Sequence, residues 1–132
     1  MRQHYLTCLM CLSFTVHVSA GELSKGAKLK LSQSIEFEYQ ERMKVCDTLN
    51  WNASDVCEIQ AYNKKLVDQA ALRANIHPTA KNRQNALLAH VNAKYEVAIT
   101  ECNDLDIEAR QPCWEAAEVE RKNGVQQIIS DQ

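Results

Sequence analysis

Cys46 and Cys57 enclose ten residues, Cys102 and Cys113 enclose ten more, and a shift of 56 positions carries the first pair onto the second. Applied without a gap, the same shift lays Tyr39 on Tyr95, Leu49 on Leu105, Ala53 on Ala109 and Ala61 on Ala117, and brings Ile35 to Val91 and Met43 to Ile99. Agreement that extends beyond the cysteines points to an internal duplication. A chain built this way folds as two similar units, and its covalent chemistry sits at matching places in both.

The first twenty residues are set apart from this pattern. Arg2 and His4 give a short polar start, residues 5–18 are mostly apolar, and Val18-Ser19-Ala20 supplies small residues ahead of Gly21. This is the pattern of a secretory signal peptide over residues 1–20. The apolar run is shorter than the roughly 18 to 20 residues needed to span a bilayer, and Thr7, Ser13, Thr15 and His17 interrupt it. Cys8 and Cys11 are expected to leave with it, so no stable membrane anchor remains after cleavage. The exported part then holds 14 basic and 17 acidic side chains, a balance that gives no electrostatic reason to bind nucleic acid. Lys25, Lys28 and Lys30 form a basic cluster read as a solvated N-terminal arm over residues 21–33.

Apolar residues recur at steps of three and four, which defines amphipathic helices. Ile35, Tyr39, Met43, Cys46 and Leu49 form one such row, and Leu88, Val91, Tyr95, Ala98, Cys102 and Leu105 form its counterpart. Val56, Ile59, Leu66, Ala70 and Ala74 form another, and Cys113, Ala116, Ala117, Glu120 and Ile128 a less regular last one. The expectation is an all-α fold: two helix-turn-helix hairpins over residues 34–124, each stapled by a disulfide, packed as a four-helix bundle. Ser34 with Glu36 and Glu38 is the expected cap of the first helix, and Asn52 or Ser54 with Asp55 that of the second. His77-Pro78 ends the second helix and opens the third, and Pro112 fits the first turn of the fourth. Asn123-Gly124 reads as a helix stop, leaving residues 125–132 as a loose tail.

Cys46 falls at the end of the first helix and Cys57 just inside the second, so a bridge between them staples the hairpin across its turn, as Cys102 with Cys113 does in the other copy. An up-and-down order puts both turns at one end, and spacing alone also allows Cys46 with Cys113 and Cys57 with Cys102. Local pairing is preferred because it leaves each duplicated unit with its own staple.

The run Cys46-Asp47-x-Leu49-x-x-Asn52-Ala53-x-Asp55-Val56-Cys57-x-x-x-Ala61 resembles small exported Ala- and Lys-rich helical proteins of Gram-negative bacteria that carry repeated ten-spaced cysteine pairs. The resemblance spans residues 39–67 and, more thinly, 95–123, where Cys102, Leu105, Ala109, Cys113 and Ala117 are kept. It implies export to the periplasm and disulfide-bonded helices, and brings no enzymatic activity. Members of that family tend to have glycine where this chain has Trp51. The hairpins also look like the twin-cysteine hairpins of mitochondrial import substrates, which differ in spacing and compartment.

No catalytic constellation is visible, and no enzyme and no cofactor is expected. Cys57 and Cys113 lie near helix N-termini, which lowers thiol pKa, yet ten-residue spacing is not the compact Cys-x-x-Cys of disulfide oxidoreductases. Four converging thiolates would make a metal site, which an oxidising compartment disfavours. His77 and His90 lack ligand spacing, and Glu115, Glu118, Glu120, Arg121 and Lys122 read as a solvated face with a Glu118–Lys122 pair. Asn52-Ala53-Ser54 matches a glycosylation sequon, a common triplet that the bacterial resemblance argues against.

Two functional classes remain. One is a noncatalytic interaction or structural protein whose partner, another envelope protein, meets a surface formed by Leu49, Trp51, Ile107 and Trp114. The plainer reading of both tryptophans is that they cover the disulfides. The other class is a small-molecule or metal carrier, with Ala70, Ala71 and Ala74 leaving room between helices; close packing is the plainer role for those alanines.

Overall fold

The computed structural model describes residues 23–131, so the signal-peptide reading of residues 1–20, with Cys8 and Cys11, lies outside the described residues. Four α-helices follow one another: α1 Lys25–Cys46, α2 Asn52–Ile76, α3 Ala80–Glu101 and α4 Ile107–Ser130, with a 3-10 turn Cys102–Asp104 between α3 and α4. No strand occurs among the described residues. The bridges are the local ones. Cys46 joins Cys57 with Cα atoms 5.4 Å apart, and Cys102 joins Cys113 at 5.8 Å.

Three helices start on a side-chain oxygen that takes up an otherwise orphaned amide. Ser24 Oγ accepts from the Ala27 amide at 3.2 Å, Thr79 Oγ1 from Asn82 at 3.1 Å, and Asp106 Oδ1 from Ala109 at 2.9 Å. Ser24 therefore caps α1, and Ser34 lies inside it. Residues 25–33, expected as an arm, are the first turns of that helix. Because Thr79 caps α3, Pro78 belongs to the preceding loop, where its carbonyl accepts from Arg83 Nη1 at 2.6 Å and that of His77 accepts from Asn82 Nδ2 at 2.7 Å. Asp106 starts α4 early enough that Pro112 sits beyond the first turn and leaves the Glu108 carbonyl without its usual helical donor.

Gly124 does not stop α4. A Cβ placed there would approach Val91 Cγ2 to 3.0 Å and Cγ1 to 3.1 Å, so the glycine lets α4 lie close to α3. The helix runs on to Ser130, and Ile128, expected near a loose tail, is buried.

The helices pack in chain order: α1 on α2, α2 on α3, α3 on α4. The α2–α3 interface is the most extensive, so the two hairpins are joined through their inner helices. Ala61, Ala74, Ala117, Ile128 and the sulfurs of Cys46 and Cys102 make up the buried apolar core, with Asn63 among them donating through Nδ2 to the Ala93 carbonyl at 3.4 Å. Alanines bring backbones close but remove little apolar area from water. Covalent closure matters more in consequence, each loop of this size contributing roughly 3 kcal/mol by the chain-entropy account.

Polar clamps supplement the core within each hairpin. Lys65 Nζ lies 4.0 Å from the Tyr39 ring centroid, and Arg121 sits 5.0 Å from that of Tyr95. Both partners are related by the same 56-residue shift as the cysteines. Lys65 also pairs with Glu36 at 3.2 Å and Lys64 with Glu38 at 3.5 Å, bridging α1 and α2. The Gln40 amide and then Lys65 hold the Glu36 carboxyl below its ordinary value, and Arg42 followed by Lys64 does the same for Glu38. On α4, Arg121 holds Glu118 down.

Two outcomes are expected. Replacing Cys46 and Cys57 together by alanine should lower unfolding free energy by about 2 to 4 kcal/mol in urea denaturation followed by circular dichroism. A depressed carboxyl stabilises the fold above its unfolded pKa and loses that contribution as pH falls through the folded value. Thermal stability should therefore decline as the pH drops below about 4.5, and Glu36→Gln with Glu38→Gln should flatten that decline.

Candidate functional site

Antiparallel order places both stapled connections, residues 47–51 and 102–106, at one end of the array. In the first, the Asp47 amide donates to the Met43 carbonyl at 2.9 Å and Leu49 to Cys46 at 2.9 Å, so the chain leaves α1 in tight turns. The Trp51 carbonyl then opens α2 by accepting from the Ser54 amide at 3.0 Å and from Asp55 at 3.3 Å. Neither Asn52 nor Ser54 is the N-cap: Trp51 holds that position and offers no side-chain cap. The Ser54 hydroxyl instead lies 3.2 Å from both the Cys46 carbonyl and Glu58 Oε1, tying α2 back to the end of α1.

Trp51 has φ 57° and ψ −144°, the one positive φ among described non-glycine residues. That region is nearly reserved for glycine, because a Cβ crowds the neighbouring carbonyls there. The indole offsets none of the strain, being 90% exposed and making no hydrogen bond.

The second connection is built differently. Arg110, which the 56-residue shift pairs with Ser54, donates through Nη2 to the Asn103 carbonyl at 3.2 Å and to Leu105 at 3.0 Å. Trp114 is 38% exposed and its Nε1 donates across to the Ile99 carbonyl of α3 at 3.2 Å. Trp114 is thus tied back to α3, and Trp51 is not. Leu49 is 41% exposed and Ile107 82%, so Leu49, Trp51 and Ile107 present apolar surface at the stapled end while Trp114 is partly occupied.

A cleft of about 450 Å³ joins the two connections, with Leu49, Ala53 and Val56 on the first hairpin and Glu101 and Asp104 on the second. Asn52 lines it too, and its Oδ1 is buried without a hydrogen-bond partner. The end is acidic: Asp47, Asp55, Glu101, Asp104, Asp106 and Glu108 are all exposed, and the guanidinium of Arg110 is turned to backbone carbonyls. At the far end, Lys25, Lys30, Arg73, Lys81 and Arg83 are exposed and basic. A nearly balanced net charge thus conceals a mainly acidic stapled end, where Lys44 is the exposed exception, and a mainly basic far end, where Asp131 is. Acids flank both cysteine turns in the sequence and bases flank the His77-Pro78 turn, and antiparallel folding gathers each set.

A larger cleft of about 580 Å³ lies between α3 and α4, lined by Val91, Tyr95, Arg121 and Ile128 among others, with His90 at its wall. Ala70, Ala71 and Ala74 are not part of it; buried Ala74 fits an alanine that permits close packing, whereas Ala71 is exposed. His77 lies exposed in the α2–α3 loop, remote from His90 along the chain. With all four described cysteines in bridges they form no thiolate set, and no cluster of three metal-ligating side chains occurs among the described residues. No described helix is long and apolar enough to cross a membrane. No protein-family model, curated protein or solved structure matches this chain.

Glycine at position 51 should relieve the strain and lose little burial. Trp51→Gly is expected to stabilise the fold by about 1 kcal/mol, read as a higher thermal midpoint; a lower midpoint would show that the indole packs in solution.

Proposed function

We propose that this chain is a noncatalytic docking or structural protein of the bacterial periplasm, exported by residues 1–20, built by internal duplication and presenting its stapled end to a partner. Two disulfides suit an oxidising compartment. The matched cysteine bridges and the matched cation–π pairs at Tyr39 and Tyr95 support duplication. The observation that carries the docking reading is Trp51, a strained and almost wholly exposed aromatic beside a disulfide. Exposed tryptophan supplies contact energy out of proportion to its share of surface, and strain concentrates where function requires it.

A second reading rests on the α3–α4 cleft, whose apolar wall and Arg121 and Lys94 suit a small amphiphilic molecule. Arg121 is already engaged by Glu118 at 2.9 Å, which weakens it as a ligand anchor.

A photo-crosslinking residue at Ile107, exposed at the stapled end, should capture a protein partner in the periplasm of expressing cells, and the same residue at Val119, exposed on the flank of α4, should not. Equal capture at both positions contradicts the docking reading. Intact mass of the exported material should correspond to a chain starting at Gly21 with all four cysteines oxidised.

A further inference from the structure

We propose that the occupant of the stapled end is a second copy of this chain, which inserts the lysine- and leucine-bearing first turns of its α1 there, so that copies join head to tail. This rests on the reading of the stapled end as a docking face and names what it receives. The first turns of α1 read Lys25-Gly26-Ala27-Lys28-Leu29-Lys30-Leu31, with Lys25, Leu29, Lys30 and Leu31 exposed. The receiving end offers the matching surface: apolar Leu49 and Trp51, acidic Glu101 and Asp104. Asn52, on the same cleft, keeps its Oδ1 buried without a hydrogen-bond partner among the described residues.

The two surfaces do not meet within one molecule. They lie at opposite ends of α1, whose 22 residues at about 1.5 Å each hold them roughly 33 Å apart. Complementary ends on a rigid body pair between copies, and such an unlike-to-unlike contact leaves a free head and a free tail after every addition. The indole of Trp51 stands ready to take a lysine over its face, and its exposure leaves that face open.

Sedimentation velocity on the oxidised protein tests this. Association should grow with concentration in low salt and weaken sharply near 1 M, where the screening length falls to about 3 Å. Trp51→Gly removes the head, and Lys25→Glu with Lys30→Glu removes the tail; each variant should keep its helical circular dichroism and associate roughly tenfold or more weakly. Mixing the two should restore association but only as far as a 1:1 dimer, since the mixture retains one good head and one good tail. Unchanged association of either variant, or a mixture that stays monomeric, overturns the proposal. A fluorescent helical peptide of unrelated sequence rich in Arg and Leu separates this failure from failure of the docking reading. If wild type binds that peptide through Trp51 yet does not self-associate, the second copy is the wrong occupant and the docking face stands. If it binds neither, both ideas fall.

Discussion

Everything at the stapled end depends on the two disulfides, because the rest of the molecule has little else to fix it there. Cys46 and Cys102 are the largest fully buried side chains, and around them the core is mostly alanine. An alanine core lets helices approach but supplies few of the contacts that would select one turn geometry over another. A bridge that ties the last residue of α1 to the first turns of α2 makes that selection covalently, and its counterpart does so between the end of α3 and α4. Ser54 and Arg110 then add hydrogen bonds at equivalent places with different chemistry, a hydroxyl in one hairpin and a guanidinium in the other. The two ends of the array differ accordingly: one is pinned by covalent bonds, the other by side-chain hydrogen bonds from Asn82 and Arg83 to the carbonyls of His77 and Pro78.

Trp51 is where local and global preferences conflict. A turn that wants glycine carries the bulkiest residue available, and no contact within the chain offsets the cost. Conflicts of this kind mark functional positions more often than ordinary surface, because a foldable sequence agrees with its backbone nearly everywhere else. Trp114 shows the contrast within the same molecule, its indole N–H given to the Ile99 carbonyl.

The helical rows and the shared end of both turns were legible in the sequence, since period translates directly into helix faces and antiparallel order, while spacing left the cysteine pairing open and only the duplication favoured the local one. Boundaries were harder. Ser24 and Ser34 are chemically equal as caps, and the lysines after Ser24 read as a solvated arm although lysine is a good helix former. Gly124 misled because glycine serves two purposes: it ends helices cheaply, and it also lets two helices touch, which is its role against Val91. At the candidate site, the place of Leu49, Trp51 and Ile107 beside the cysteines suggested exposure, which they have, whereas the difference between the two tryptophans needed the hydrogen bond to Ile99. The acidic and basic ends escaped notice because charges scattered along the chain gather only after it has folded back on itself three times.

The claim on which the rest depends is that each hairpin carries its own staple. Peptide mapping under nonreducing conditions tests it most directly. One linked peptide should contain Cys46 and Cys57 and another Cys102 and Cys113. Peptides joining Cys46 to Cys113 and Cys57 to Cys102 would contradict it, since the bridges would then lock the hairpins to each other and leave each turn without its own constraint.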